Sequence, residues 1–279
     1  MLLLKKLCRD IPAVLGLLII IVVILTAIFA WHLVPDPATV YDGDILERLQ
    51  APSWTHPFGT DDLGRDILAR VIVGARGALF IAIGVVLVSM IIGIPLGLYA
   101  GYVSNWGSEF IMRVTDIFLA VPQLILALAV AQILSRGIES AMLALALTYW
   151  PFFTRTVYSE TRRMRSSLFI EAMEGLGGSR SRIIIFHVLP NVAAPIIVRA
   201  TIGMGFTILT AATLGFLGIG ATPPSPDWGL SIAQSRQYLP ESWWFATFPG
   251  LAILLTVLGF NLFGDGLRDL VDPRLRRSR

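Results

Sequence analysis

From Gly77 to Ser108 the chain runs for 32 residues without one charged side chain. A helix rises about 1.5 Å per residue, so roughly 20 apolar residues cross the ~30 Å hydrocarbon core of a bilayer. In lipid, every backbone N–H and C=O must be paired within the segment or a closed barrel, and an unbroken run of this length selects helix. The pattern recurs. Pro12–Val34, Ile117–Ser135, Ser140–Thr154 and Ser242–Gly264 are also free of charge, and a further span falls within Asn191–Ile219, where Arg199 stands near one end. The expected fold is therefore an all-α polytopic membrane protein with six transmembrane helices. Composition agrees, with 55% hydrophobic and only 15% charged residues. A soluble domain carries about 25% charge, so an ordinary soluble enzyme and a nucleic-acid binder are both excluded.

Lys5, Lys6 and Arg9 precede the first run, as they would in a cleaved signal peptide. The run is longer than such a core and further spans follow, so it reads as an anchor. Basic residues gather on the cytoplasmic side of membrane proteins. With both termini inside, sixteen of the 22 Lys+Arg fall on inner segments and six (Arg48, Arg65, Arg70, Arg76, Arg136 and Arg236) on outer ones. Residues 1–11 and 276–279 are then cytoplasmic, 12–34 form the first span, and 35–76 form an outer loop. Residues 77–275 form a core with five more spans, including a cytoplasmic loop over 155–190.

The rare residues exclude chemistry. The single cysteine, Cys8, permits no intrachain disulfide. His32, His56 and His187 stand far apart, with no metal-ligand spacing, and no metal or catalytic residue is expected. Lys5 and Lys6 are the only lysines, so no P-loop exists to hold ATP. Ion-coupled transporters bury ionisable groups at mid-membrane. Here Arg113, Asp116, Arg199 and Asp265 are all expected near cytoplasmic ends, which argues for a passive pathway or one driven from outside the chain. A channel stays open on these grounds. The sequence singles out no residue of a substrate pathway.

Within the spans, Gly93, Gly97 and Gly101 share one helix face and allow close approach of another backbone. Either an interface lining a moving pathway or tight packing inside the subunit accounts for them. In the outer loop, Asp61 or Asp62 is expected to cap an amphipathic helix leading into the second span, with Asp61/Arg65 and Asp66/Arg70 paired at i,i+4. Capping and ion pairing explain these acids without calcium, since the EF-hand spacing is absent. In the inner loop, Leu168, Phe169, Ala172, Met173 and Leu176 recur at helical spacing, while Glu171 and Glu174 mark another side. Glycines 175, 177 and 178 end that helix. A second short helix is expected from Ser179 to Leu189, stopped by Pro190. Such a helix–turn–helix either docks a partner or covers the membrane face.

Glu171-Ala-Met173-x3-Gly177, followed after nine residues by His187-x-Leu189-Pro190, resembles the EAA loop of ABC-importer permeases. The pattern is EAA-x3-G-x9-I-x-LP, and this chain departs from it at Met173 and His187. Phe58–Asp66, Leu214–Gly229 and Phe260–Asp269 look like signatures of the dipeptide/oligopeptide/nickel permeases. Together the motifs cover residues 56 to 275. The resemblance implies a type I ABC importer permease fold in a bacterial inner membrane. It implies a subunit that forms half of the pathway for dipeptides or oligopeptides, or for glutathione or nickel complexes. A second homologous permease, two ABC ATPases that bind the ATP and Mg²⁺, and an extracytoplasmic solute-binding protein would complete the system. Glu171, Ala172, Met173, Gly177, Leu189 and Pro190 would form the ATPase-coupling loop, and Leu168, Phe169 and Leu176 its apolar face. The Asp61–Arg76 and Pro223–Trp228 regions would face the binding protein.

Overall fold

The computed structural model describes residues 10–134 and 137–271. Lys5, Lys6, Cys8, Arg9, Ser135, Arg136 and the tail 276–279 lie outside the described residues. Helix α1 (Ile11–Ile28) starts at Asp10, whose carboxylate accepts the Ala13 N–H at 3.4 Å, with Pro12 in its first turn. It stops at Ile28 rather than Val34, because the chain breaks at Phe29 and resumes for the single turn Ala30–Leu33.

Helix α2 (Ile67–Tyr102) is one element of 36 residues. The outer amphipathic helix and the second span are thus continuous, and the cap is Asp66, which accepts the Ala69 N–H at 2.8 Å, rather than Asp61 or Asp62. Asp61 is occupied elsewhere. It is fully buried and accepts the Leu63 and Arg65 N–H groups at 2.9 and 3.0 Å and the Arg65 Nε–H at 2.6 Å. The expected Asp66/Arg70 pair does not form. Asp66 meets His56 Nδ1 at 2.9 Å, while Arg70 lies 3.6 Å from Asp61 and donates to the carbonyls of Val40, Pro224 and Ser225.

The third run is divided. Helices α3 (Trp106–Ala120) and α4 (Gln123–Ile133) meet at a bend of 95°. Pro122 supplies no N–H and bars Val121 from the helical region, so the helix ends there. Helix α5 (Ile138–Arg165) holds the expected fourth span in its first half and Arg155, Arg162, Arg163 and Arg165 in its second. After the short α6 (Leu168–Gly175), helix α7 (Arg180–Phe216) runs for 37 residues. It does not stop at Pro190. A π-helical stretch over Ile184–Val188 widens the ladder where proline removes a donor, and the helix continues. Helices α8 (Trp228–Ser235) and α9 (Trp243–Val271) complete the chain. Among the described residues, α1, α2, α7 and α9 are long and apolar enough to cross a membrane, and the bent α3–α4 pair makes a fifth candidate. Glu139, Thr148 and Arg155 dilute α5, yet Ala144, Leu145, Phe153 and Val157 on it are fully buried.

The core forms where α2 and α5 run side by side. A Cβ at Gly93, Gly97 or Gly101 would stand 2.7, 2.6 and 2.7 Å from the Cβ atoms of Phe153, Val157 and Thr161. Packing within the subunit therefore accounts for the glycine stripe. Ser89 Oγ donates to the Ala146 carbonyl and Thr154 Oγ1 to that of Gly93, both at 3.3 Å, so polar groups also join the two helices.

Residues 35–66 wrap the first turns of α2 and of α9. Phe58 stacks on Phe248 at 4.0 Å, and Trp244 Nε1–H donates to the Thr60 carbonyl at 3.2 Å. Asp227, whose carboxyl is pushed up from the usual aspartate range chiefly by burial, caps α8 by accepting the Leu230 N–H at 2.8 Å. Trp228 on α8 donates to the Val71 carbonyl at 3.0 Å, bringing the signature segments around residues 58–76 and 223–229 together.

Two outcomes are expected. Gly97→Leu forces side-chain atoms into the α5 backbone and destabilises the subunit by about 3 kcal/mol, near the upper end of overpacking costs; the thermal-aggregation midpoint in detergent would fall, and an unchanged midpoint would contradict the close contact. Asp61→Ala takes from the Arg65 guanidinium, 1% exposed, its carboxylate at 2.6 Å and leaves it only Asp62 at 3.8 Å. Stripping one member from a buried pair costs about 3–5 kcal/mol, and limited proteolysis between residues 41 and 60 should accelerate strongly while cleavage elsewhere stays constant.

Candidate functional site

At the end of α2 opposite that wrapped cap, α5 ends at Arg165 and two serines turn the chain into α6, eight residues long. So short a helix cannot stand alone in water. Ile170 anchors it, fully buried in the core beside Ile183 and Val188, and Met173 packs at the margin of the same core. The remaining apolar side chains point away. Leu168 and Leu176 are 83% and 84% exposed, and Phe169 is half-exposed against the edge of the His187 ring at 5.7 Å. The single apolar face expected from the spacing is thus two faces, with Met173 inward and Leu168, Phe169 and Leu176 outward. Glu171 and Ala172 are exposed as well, and among the described residues Glu171 has no partner.

Glu174 behaves differently from Glu171. Its Oε1 accepts the Tyr102 hydroxyl at 2.6 Å, and the Arg165 guanidinium lies over the Tyr102 ring at 5.5 Å. Tyr102 is the last residue of α2 and is 2% exposed, so the hydrogen bond ties α6 to the end of that 36-residue helix. Sequence reasoning missed both Tyr102 and Ile170. A tyrosine at the end of an apolar run is a visible signal of an interface position, but nothing in spacing pairs residue 102 with residue 174.

The C-terminus of α6 is closed by glycine. The Gly177 N–H reaches the Glu174 carbonyl and the Gly178 N–H the Met173 carbonyl, both at 3.0 Å, while Gly177 has φ +77°. These two bonds around a left-handed residue form a Schellman cap. A Cβ at Gly177 would meet no neighbour within 4 Å, so the requirement is on backbone conformation and not on space. Leu189 and Pro190 open the α-helical part of α7 that follows its π-helical stretch, where Leu189 packs against the core and Asn191 Nδ2–H donates to the His187 carbonyl at 2.7 Å. Of the sequence-derived residues, 168–177 therefore form one compact element, while Leu189 and Pro190 belong to the helix that leaves it.

Residues 93–277 match the family described as binding-protein-dependent transport system inner membrane component. The chain belongs to this family. Over 272 residues the permease is 45% identical to the dipeptide transport system permease protein DppC of Alkalihalophilus pseudofirmus, covering 98% of this chain and 89% of that one. It is 42% identical over 92% of its length, and 85% of the relative's, to the probable D,D-dipeptide transport system permease protein DdpC of Escherichia coli. It is 40% identical over 98% of its length, and 90% of the relative's, to the glutathione transport system permease protein GsiD of Pectobacterium atrosepticum. Its fold is shared with an inward-facing MetNI methionine ABC transporter, with a TM-score of 0.59 at 20% identity over 73% of this chain and 96% of that one. The permease is thus a multi-pass membrane protein of the binding-protein-dependent transport class, and α6 lies inside the matched region.

The Tyr102–Glu174 bond is directly testable in the permease. A hydrogen bond to a charged group contributes about 1.5–3 kcal/mol when buried, and less here because Glu174 is exposed. Tyr102→Phe should raise amide hydrogen exchange across Ile170–Gly175 by about fivefold, with exchange in α5 unaltered. Unchanged exchange in α6 would show that the hydroxyl does not hold it.

Proposed function

We propose that this chain is one of two permease subunits of an ATP-driven importer that moves dipeptides or other short peptides across a bacterial inner membrane. The observation that carries the reading is the outward apolar face of α6. Leu168, Phe169 and Leu176 are exposed on an element that is itself fastened to the core through Ile170 and Tyr102. A surface that is apolar, unsupported and rigidly backed is suited to a groove on a partner. Facing the cytoplasm, it would meet an ATPase subunit. ATP and Mg²⁺ would be held by two such partners, since no P-loop lysine exists in this chain.

In this reading the chain has six spans, with α3–α4 as a broken span, α5 as the fourth, and both termini in the cytoplasm, as the basic residues favour. When the ATPases close on ATP they draw α6 and its counterpart on the second permease together. Rigid-body movement of the attached spans then alternates access to the pathway. Glu171, exposed and without a partner among the described residues, would make a contact on the ATPase, and Gly177 holds the turn that presents it. The outer cap, where Arg70 joins residues 40, 224 and 225, offers the docking side for a solute-binding protein. Short peptides are the cargo best supported, because the relatives named above carry dipeptides and glutathione, which is itself a tripeptide.

Reconstitution of the full complex tests this. Glu171→Ala or Gly177→Arg should lower ATP-dependent uptake at least tenfold, while the subunit still inserts and copurifies with the second permease. Normal uptake by either variant would refute the coupling role. The isolated chain in liposomes with ATP should transport nothing, and uptake by it alone would overturn the subunit reading.

A further inference from the structure

Helix α7 carries within its span a cation, Arg199, that the coupling machinery does not use. Arg199 was expected near a cytoplasmic end, but α7 begins at Arg180, and Arg199 is the twentieth of its 37 residues. The guanidinium lies 4.8 Å from the centroid of the Phe152 ring and 5.7 Å from that of Tyr149. Both rings are on α5, one turn from Phe153, whose Cβ lies beside Gly93 of α2. That places the guanidinium within about one turn of the middle of the charge-free part of α2, residues 77–102. Arg199 therefore stands at mid-span.

At that depth a guanidinium needs an anion, because lipid solvates none of its five donors. Among the described residues no carboxylate pairs with it, and its Nε is buried without a hydrogen-bond partner. The aromatic rings satisfy one face of the ion by cation–π contact. Its N–H edge remains open.

The same level holds a second anomaly. Phe118 of α3 rests against Trp150 at 5.5 Å, so the break that follows at Val121–Pro122 lies beside this stretch of α5. Ala120, Val121 and Pro122 are exposed at the bend. Irregular backbone at membrane depth is tolerated only where it lies within protein or lines water. Gln123, the next residue, has both amide atoms buried without partners. Gln123 opens α4 directly after the bend, five residues on from Phe118, and so belongs to the same break. An unpaired cation, an unsatisfied amide and a broken helix thus share one layer.

We propose that this layer is a cargo site in the translocation pathway, with Arg199 receiving the terminal carboxylate of the passing peptide. The inference rests on the peptide-import reading and supplies its recognition chemistry. The planar fork of arginine matches a carboxylate bidentately, and Phe152 and Tyr149 hold the fork in place so that little is lost on binding. The single peptide amide of a dipeptide is a group that Gln123 can pair.

The test uses the reconstituted importer with its binding protein. Arg199→Gln should cut uptake of a dipeptide at least tenfold. For a C-terminally amidated dipeptide, compared at equal occupancy of the binding protein, variant and wild type should differ less than twofold. Arg199→Lys, which keeps the charge but loses the fork, should restore uptake only in part, to a level between those of Arg199→Gln and wild type. Equal uptake of the free dipeptide by Arg199→Gln and wild type overturns the proposal. Loss of the second permease on purification of Arg199→Gln also overturns it, since the guanidinium would then neutralise a partner carboxylate. Should Arg199→Gln fail to fold, Val121→Cys in a Cys8→Ser background decides. A membrane-impermeant thiol reagent should modify it in the assembled importer, at a rate lowered at least threefold during turnover with peptide; an inert or cargo-insensitive thiol refutes the site. A wild-type importer that moves no peptide would instead refute the import reading, and is seen before any variant is compared.

Discussion

Backbone contact between α2 and α5 is the interaction on which the remaining architecture hangs. Apolar burial gives little drive between helices whose surroundings are as apolar as they are, so association in a membrane depends on close packing and on short polar bonds. Gly93, Gly97 and Gly101 supply the first, and Ser89 and Thr154 the second. A helix as poorly suited to lipid as α5, with its threonines, tyrosine and arginine, is held in the core because α2 offers it a groove with no side chains. Once paired, the two helices deliver Tyr102 and Arg165 to the same end, and α6 is built on that end.

The sequence made the class of fold plain and blurred its joints. Runs without charge identify spans because lipid punishes charge wherever it falls. They carry no information about where a helix breaks inside a run or continues beyond it. Pro122 ended a helix in mid-run, whereas Pro190 did not, because a π-helical stretch absorbed the missing donor. The difference is set by neighbours and not by the proline. Likewise the pairs Asp61/Arg65 and Asp66/Arg70 have identical spacing, yet only the first is formed, since Arg70 is drawn to three carbonyls that are distant in sequence.

The site shows the same division. Glycine at 177 and the exposed apolar residues at 168, 169 and 176 were legible because a helix end and an amphipathic face are local properties. Ile170 was hidden, since an eight-residue helix needs apolar residues on two sides and periodicity reports one. Tyr102 and the setting of Arg199 were hidden for a deeper reason. Both depend on which helices stand together and at what height, and a span reveals its own length but not its register against another.

Helix α2 carries Arg70 at one end and Tyr102 at the other, and its 36 residues make a rod about 54 Å long. At the first end it is pinned to the loops around residues 40 and 224–225, and at the second to α6. A rod fixed at both ends acts as a lever. Any rigid displacement of one pinned end is therefore carried along the rod to the contacts at the other.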